Sequence, residues 1–261
     1  MKKNLLLPLL ALGSIVWVSC NKPDGSDITD NPTTSYKLSY GDSILYLKPG
    51  AADQIVYPVT PRPGTYEGFP EGIEIDDNTG AINVSNSETG LRYRITHTAP
   101  DGTKTETKVV LSGITFKDQF YYLSRNDSIA LPIYNSNESR VLPLAGSIFD
   151  EGNLANGGGC AVKTDNGKIN LKETIRNGVF GFPPRNDAQE TFEIKYRIND
   201  QSGKSENKLK VLLYWYNTVN DIPQYVWDIL NQRTADGVFL RGGSAQRAAK
   251  PRPPCVIIIA N

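Results

Sequence analysis

The sequence predicts a mostly β protein, arranged as two tandem β-sandwich domains followed by a short C-terminal helix and strand. Three observations carry that expectation. Gly 23, Pro 17 and Tyr 13 against a single Met suit many short strands and turns better than a helix bundle. Thr191 to Asp200 alternates Phe192, Ile194, Tyr196 and Ile198 with Glu193, Lys195, Arg197 and Asn199, the period of a sheet with one buried and one wet face. An internal repeat can also be read. Leu38-Ser39-Tyr40-Gly41-Asp42-Ser43-Ile44 recurs as Leu123-Ser124-Arg125-Asn126-Asp127-Ser128-Ile129, Thr79-Gly80-Ala81-Ile82-Asn83-Val84 as Asn166-Gly167-Lys168-Ile169-Asn170-Leu171, and Tyr93-Arg94-Ile95 as Tyr196-Arg197-Ile198.

Residues 1–19 read as an export signal. Lys2 and Lys3 precede an apolar stretch from Leu5 to Val18, broken by Pro8, Gly13 and Ser14. Crossing a hydrocarbon core takes roughly 20 apolar residues, so a permanent spanning helix is the weaker reading. The segment Trp17-Val18-Ser19-Cys20 resembles the lipobox of bacterial lipoproteins, with Trp17 standing where leucine is usual. That resemblance implies cleavage before Cys20, a diacylglyceryl group on its thiol and palmitate-type acylation of the new amine. It places the chain as an outer-membrane lipoprotein, at the cell surface or the periplasmic face, with the lipid as its membrane partner. An ordinary signal peptide with an incidental cysteine is the alternative. Residues 20–35 read as the lipidated cysteine and a flexible tether, polar and without apolar periodicity. Asp24, Asp27 and Asp30 resemble the acidic stretch that directs some lipoproteins to the cell surface.

The first domain is expected over 36–115 and the second over 116–216. In the first, Leu91, Tyr93 and Ile95 share a buried phase, and Ile73 and Ile75 face Ile82 and Val84 across a turn at Asp76 to Gly80. Gly72-Ile73-Glu74-Ile75-Asp76-Asp77-Asn78-Thr79-Gly80-Ala81-Ile82 resembles the G-L-x-I-D-x-x-T-G-x-I signature of bacterial immunoglobulin-like and cadherin-like modules, which implies Ig-like sandwiches. The second domain carries an insertion around Ile175 to Gln189. Its last strand holds Leu209, Val211, Leu213 and Trp215 in core phase, with Tyr214 and Tyr216 facing the other way. Residues 217–261 form the C-terminal helix and tail. Asp221 is the expected N-cap of a helix whose stripe of Ile222, Val226, Ile229 and Leu230 docks on the second domain. The tail turns basic at Arg241, Arg247, Lys250 and Arg252, and then apolar at Cys255-Val256-Ile257-Ile258-Ile259, a strand expected to pair with a sheet edge.

Chemistry is scarce. Lys+Arg and Asp+Glu balance at 28 each, which leaves no global field for nucleic acid. With Cys20 lipidated, Cys160 and Cys255 are the remaining thiols, and an oxidising compartment suggests a disulfide between them. His97 is the only histidine and sits at the inward end of a strand, a packing position. No G-x-S-x-G elbow appears, and Gly157-Gly158-Gly159 lacks the Lys-Ser/Thr pair of a phosphate loop. Asp76, Asp77 and Asn78 offer calcium-type oxygens, although a plain hairpin turn explains them as well. Asp42-Ser43-Ile44 and Asp127-Ser128-Ile129 resemble the O-glycosylation motif of exported proteins in some Gram-negative bacteria. No catalytic residue, metal site or cofactor is expected. The function implied is a non-catalytic module that binds glycan, polymer or an envelope protein, with Tyr121, Tyr122, Tyr214 and Tyr216 as candidate sugar-stacking surfaces. A structural spacer in an envelope assembly is the alternative.

Overall fold

In the computed structural model, residues 36–50, 52–235 and 254–260 are described. Cys20, the tether and the basic stretch from Arg241 lie outside these residues. The residues from Tyr36 on belong to one contact unit. Among the described residues the chain is mostly β, with three α-helices.

The first apolar cluster ends at Leu111. Around it a four-stranded sheet runs in the order β1 (Ile44–Leu45), β7 (Lys104–Leu111), β6 (Arg92–Thr98), β3 (Thr65–Phe69), and a three-stranded sheet in the order β2 (Ile55–Val56), β5 (Ile82–Asn83), β4 (Glu74–Ile75). Both sheets supply the cluster: Leu45, Tyr66, Tyr93, Ile95 and Val109 from one, Ile82 with Val56 and Ile75 from the other. The expected hairpin forms with Ile75 opposite Ile82. Its turn closes because Asp76 Oδ1 accepts from the Asn78 and Thr79 amides and from the Thr79 hydroxyl, an Asx turn.

The second cluster begins at Ile114. It lies under a five-stranded sheet ordered β12 (Ile148–Phe149), β14 (Ala188–Arg197), β15 (Glu206–Tyr216), β16 (Cys255–Ile259), β9 (Gln119–Tyr122). Two ribbons complete it: β8 (Ile114–Phe116) with β11 (Pro132–Tyr134), and β10 (Ile129–Ala130) with β13 (Ile169–Asn170). Leu209, Val211, Leu213 and Trp215 face this cluster, as their phase predicts. The opposite face of the sheet is also covered. Tyr214, Tyr216, Cys255, Ile257 and Ile259 pack there with Ile222, Val226, Trp227, Ile229 and Leu230, the stripe of α3 (Gln224–Ala235) and its approach. Asp221 does not cap α3. It closes a capping box on Thr218 at the preceding 3₁₀ turn, accepting from the Thr218 amide and hydroxyl. Two further helices, α1 (Leu154–Gly157) and α2 (Leu171–Arg176), decorate this half.

The repeat is present in the strand pairing, in a register different from the one the sequence suggests. Ile55 pairs with Asn83 and Val56 with Ile82, while Ile129 pairs with Asn170 and Ala130 with Ile169. Ile129 therefore matches Ile55, not Ile44, and Ile55-Val56-Tyr57-Pro58-Val59 matches Ile129-Ala130-Leu131-Pro132-Ile133. The hairpin match holds, since Val162 bridges Ile169 as Ile75 pairs with Ile82. Tyr66 lies opposite His97 and Phe149 opposite Tyr196. Both Tyr66 and Phe149 roof a turn glycine: a Cβ on Gly80 would come within 2.6 Å of the Tyr66 ring, and one on Gly167 within 2.9 Å of Phe149. Tyr196 is thus the counterpart of His97, and Phe192-Glu193-Ile194-Lys195-Tyr196 matches Tyr93-Arg94-Ile95-Thr96-His97, a slide of four residues from the sequence match.

The final strand departs furthest from expectation. It does not add to an edge. β16 sits inside the sheet, parallel to β15 on one side and to β9 on the other, and all five of its residues are buried. The ladder starts where the Leu212 amide donates to the Pro254 carbonyl, and Pro254 has no amide of its own to extend it. A charge has no partner at such a position, so Ile258→Asp is expected to cost about 3 kcal/mol or more. Urea midpoints for the two proteins, compared at equal m-value, measure this.

Candidate functional site

Two surfaces stand out, a loop that the second half has and the first lacks, and a cleft where the two halves meet. The first surface is a loop. Between β13 and β14 the chain forms α2, capped by Asn170, whose carboxamide oxygen accepts from the Glu173 amide. It then makes a tight loop over residues 177–187. Within it the Gly181 amide donates to the Gly178 carbonyl, and the Arg185 amide to the Phe180 carbonyl. Phe180 is buried and stacks on Trp215 at 6.1 Å. Phe182, two residues on, points out. It is 77% exposed, alone among the described phenylalanines in being exposed, and its ring packs on the bare Cα of Gly178. Arg185, Asn186 and Asp187 follow on the same exposed loop. The Asn186 carboxamide oxygen accepts from the Asn217 amide, and the Asn217 side chain accepts from the Trp215 indole, so the loop is tied to the end of β15. The result is a fixed aromatic face beside a cation, a carboxylate and amides.

The same end of the sheet holds Tyr216, whose buried hydroxyl makes no hydrogen bond of ordinary geometry. Burial, and after it the neighbouring Tyr225 and Asp187, raise its ionisation well above the usual tyrosine range. Tyr225 is 45% exposed on the first turn of α3.

The second surface is a polar cleft of about 280 Å³ at the junction of the two halves. Leu47, Ser85, Ser87 and Thr89 line it from one side, and Glu206, Asn207 and Lys208 from the other. The junction beside it is stitched by buried polar groups. The Tyr196 hydroxyl lies 2.9 Å from Thr89 Oγ1 and accepts from the Ile114 amide at 3.1 Å. The Asp200 carboxylate accepts from the Tyr134 hydroxyl at 2.6 Å and the Ser112 hydroxyl at 3.0 Å. Gly113 passes so close to Tyr196 and Thr89 that a Cβ there would lie 2.5 Å from the Tyr196 oxygen. Burial pushes the Tyr196 hydroxyl up to about 12.

The residues singled out in the sequence fall elsewhere. No disulfide joins Cys160 and Cys255. Cys160 packs in the cluster under the five-stranded sheet and Cys255 in the cluster on its other face, so the sheet itself separates them. Burial holds the Cys160 thiol up at about 12, where thiolate chemistry is suppressed. His97 is buried between the Tyr36 and Tyr66 rings, with Nε2 3.0 Å from the Pro63 carbonyl oxygen. Among the described residues no group of three His, Cys, Asp or Glu is placed to hold a metal. The Asp76 oxygen that would meet calcium is occupied by its own turn. Tyr121, Tyr214 and Tyr216 are buried, and Tyr122 lies under the Arg125 guanidinium, 4.5 Å from its ring centre. None presents an open sugar-stacking face. Ser43 is exposed and precedes β1, whereas Ser128 is half-buried and precedes β10, so the two Asp-Ser-Ile segments begin different strands. Phe182 was missed because nothing in a Gly-Val-Phe-Gly-Phe-Pro string tells which phenylalanine turns outward.

No protein-family model matches the sequence. No curated protein matches it. Among solved structures, a SusE-like surface-located polysaccharide-binding protein from the heparin utilisation locus of Bacteroides thetaiotaomicron matches at 8% identity, with a TM-score of 0.24. The match covers 69% of this chain and 34% of that one. A superposition at that level carries no argument about fold or ligand.

Two outcomes follow from the buried groups. Tyr196 ionises near pH 12 when folded and near about 10 when unfolded, so the stability that its neutral form supplies is complete below pH 10 and is lost as pH rises toward 12. Urea midpoints should fall over that interval, and Tyr196→Phe should flatten the fall while costing about 1–3 kcal/mol at neutral pH. Secondly, a thiol reagent applied without reductant at pH 8 should find neither Cys160 nor Cys255 in the folded protein and both after unfolding. A missing pair after unfolding would restore the disulfide.

Proposed function

We propose that this chain is a lipid-anchored, extracytoplasmic, non-catalytic glycan-binding protein, held to the membrane through Cys20 and built on two tandem Ig-like sandwiches. The observation that carries the binding reading is Phe182. Its ring is the most exposed aromatic among the described residues, at 77%, and it is fixed on a hydrogen-bonded loop rather than left to collapse inward. A flat aromatic face accepts the C–H side of a pyranose, and the adjacent Arg185, Asn186 and Asp187 supply the planar donors and acceptors that hydroxyls and sugar acids take. Little rotamer freedom is lost on binding to a surface already held rigid.

One observation favours a second reading, a spacer in an envelope assembly. The buried polar junction through Tyr196 and Asp200 resists bending between the halves, and a rigid junction suits a spacer as well as it suits presenting a binding face.

Affinity electrophoresis through gels containing neutral and acidic polysaccharides tests the leading reading. The protein should be retarded by at least one of them, and Phe182→Ala should weaken that binding about tenfold, equal to about 1.4 kcal/mol, with its melting curve unchanged. Retardation by none would sink the reading. Membrane fractionation tests the anchor, since Cys20→Ala should move the protein from the membrane pellet to the soluble fraction.

A further inference from the structure

The strand correspondences give β16 a meaning beyond its burial. With Tyr196 matched to His97, the antiparallel registers of β14 with β15 and of β6 with β7 match Val110 to Leu212 and Leu111 to Leu213. In the first half, Val110 and Leu111 take β1 as their parallel neighbour, Ile44 on Val110 and Leu45 on Leu111. In the second half the same two positions take β16, Cys255 on Leu212 and Val256 on Leu213. By chain order the counterpart of β1 is β9, which follows β8 as β1 follows the segment at Ser39. The Val59 amide bonds to Ser39, and Ile133 lies opposite Thr115. β9 is instead displaced one strand outward and pairs with the far side of β16. The first half therefore shows that this sheet is complete with its own local strand, and β16 is an added strand taken into a slot between β15 and β9.

We infer that this slot is a strand-acceptor site and that β16 from a second copy of this chain can fill it, giving a strand-exchanged dimer. The slot recognises its strand as sheet-adding partners do, by parallel backbone ladders on both sides and by pockets for alternate side chains. Val256 and Ile258 enter one cluster, and Cys255, Ile257 and Ile259 the other. Every copy of the chain carries a strand that meets this requirement, and the contacts are identical whether it arrives from the same copy or another. The balance between the two states is then set by protein concentration against the effective concentration of the tethered strand, a low-cost route to a dimer. This inference is independent of the glycan-binding reading.

The test uses two full-length chains, each with Cys20, Cys160 and Cys255 replaced by serine, one carrying Leu213→Cys and the other Val256→Cys. The chains are mixed in denaturant, refolded together over a range of concentrations, oxidised and run on non-reducing gels. Exchange predicts a disulfide-linked heterodimer that grows with refolding concentration and, as concentrations approach the millimolar effective range, exceeds by about tenfold the product of a control pair with Lys210→Cys in place of Leu213→Cys. A third chain carrying both Leu213→Cys and Val256→Cys reports whether the strand is seated at all. If that chain closes internally and no heterodimer forms at any concentration, exchange does not occur and the inference falls. If it fails to close, β16 does not occupy the slot and the inference falls as well.

Discussion

The arrangement of the second half depends on one five-residue strand holding two others apart. β16 contributes parallel ladders to both β15 and β9, and its side chains enter both apolar clusters. Without it, the outer row of β15 from Leu212 to Tyr216 would lose the partner it has and be left to β9, and α3 would lose Ile257 and Ile259 from the surface on which Val226 packs. A sheet buried on both faces reads as continuous apolar sequence, and that is why Val-Ile-Ile-Ile belongs in a sheet interior rather than at an edge. The Asp118 carboxylate fixes the strand's start by accepting from the Cys255 amide at 2.6 Å.

Local features were legible and long-range ones were not. The turn at Asp76 announced itself because an Asx turn is made by neighbouring residues, and the stripe of α3 because 3.6-residue spacing is a local pattern. The repeat was legible as a fact, but two of its three matches were out of register. An even slide along a strand leaves every residue on its original face, so Tyr93-Arg94-Ile95 can be laid on Tyr196-Arg197-Ile198 with no violation of the alternation. Only the cross-strand partners, Tyr66 for His97 and Phe149 for Tyr196, break that degeneracy. The structure does not bring Cys160 and Cys255 together for a related reason, because a count of cysteines carries no information about the side of a sheet on which each thiol lies.

The candidate site follows the same logic. Tyr214 and Tyr216 were correctly assigned away from the core that Trp215 enters, yet that second face is itself buried under α3 and its approach. The exposed aromatic came from the insertion instead. In that loop Phe180 is spent on the Trp215 stack and Phe182 is left over the surface. A sequence records that an insertion exists and that it contains two phenylalanines. It does not record which ring the loop's internal hydrogen bonds turn outward.

The distance along the chain between β16 and its partners sets the tempo of folding. The bond from Cys255 to Asp118 spans 137 residues, whereas the longest ladder of the first half joins β6 to β7 across a short turn. Closing the larger loop costs entropy before it returns any contact, so the first half is able to condense while the second waits. The second half also contains a local alternative, since β9 could lie directly against β15 as β1 lies against β7. Against the single ladder that β9 would make there, β16 holds the place with two ladders and with side chains buried on both faces.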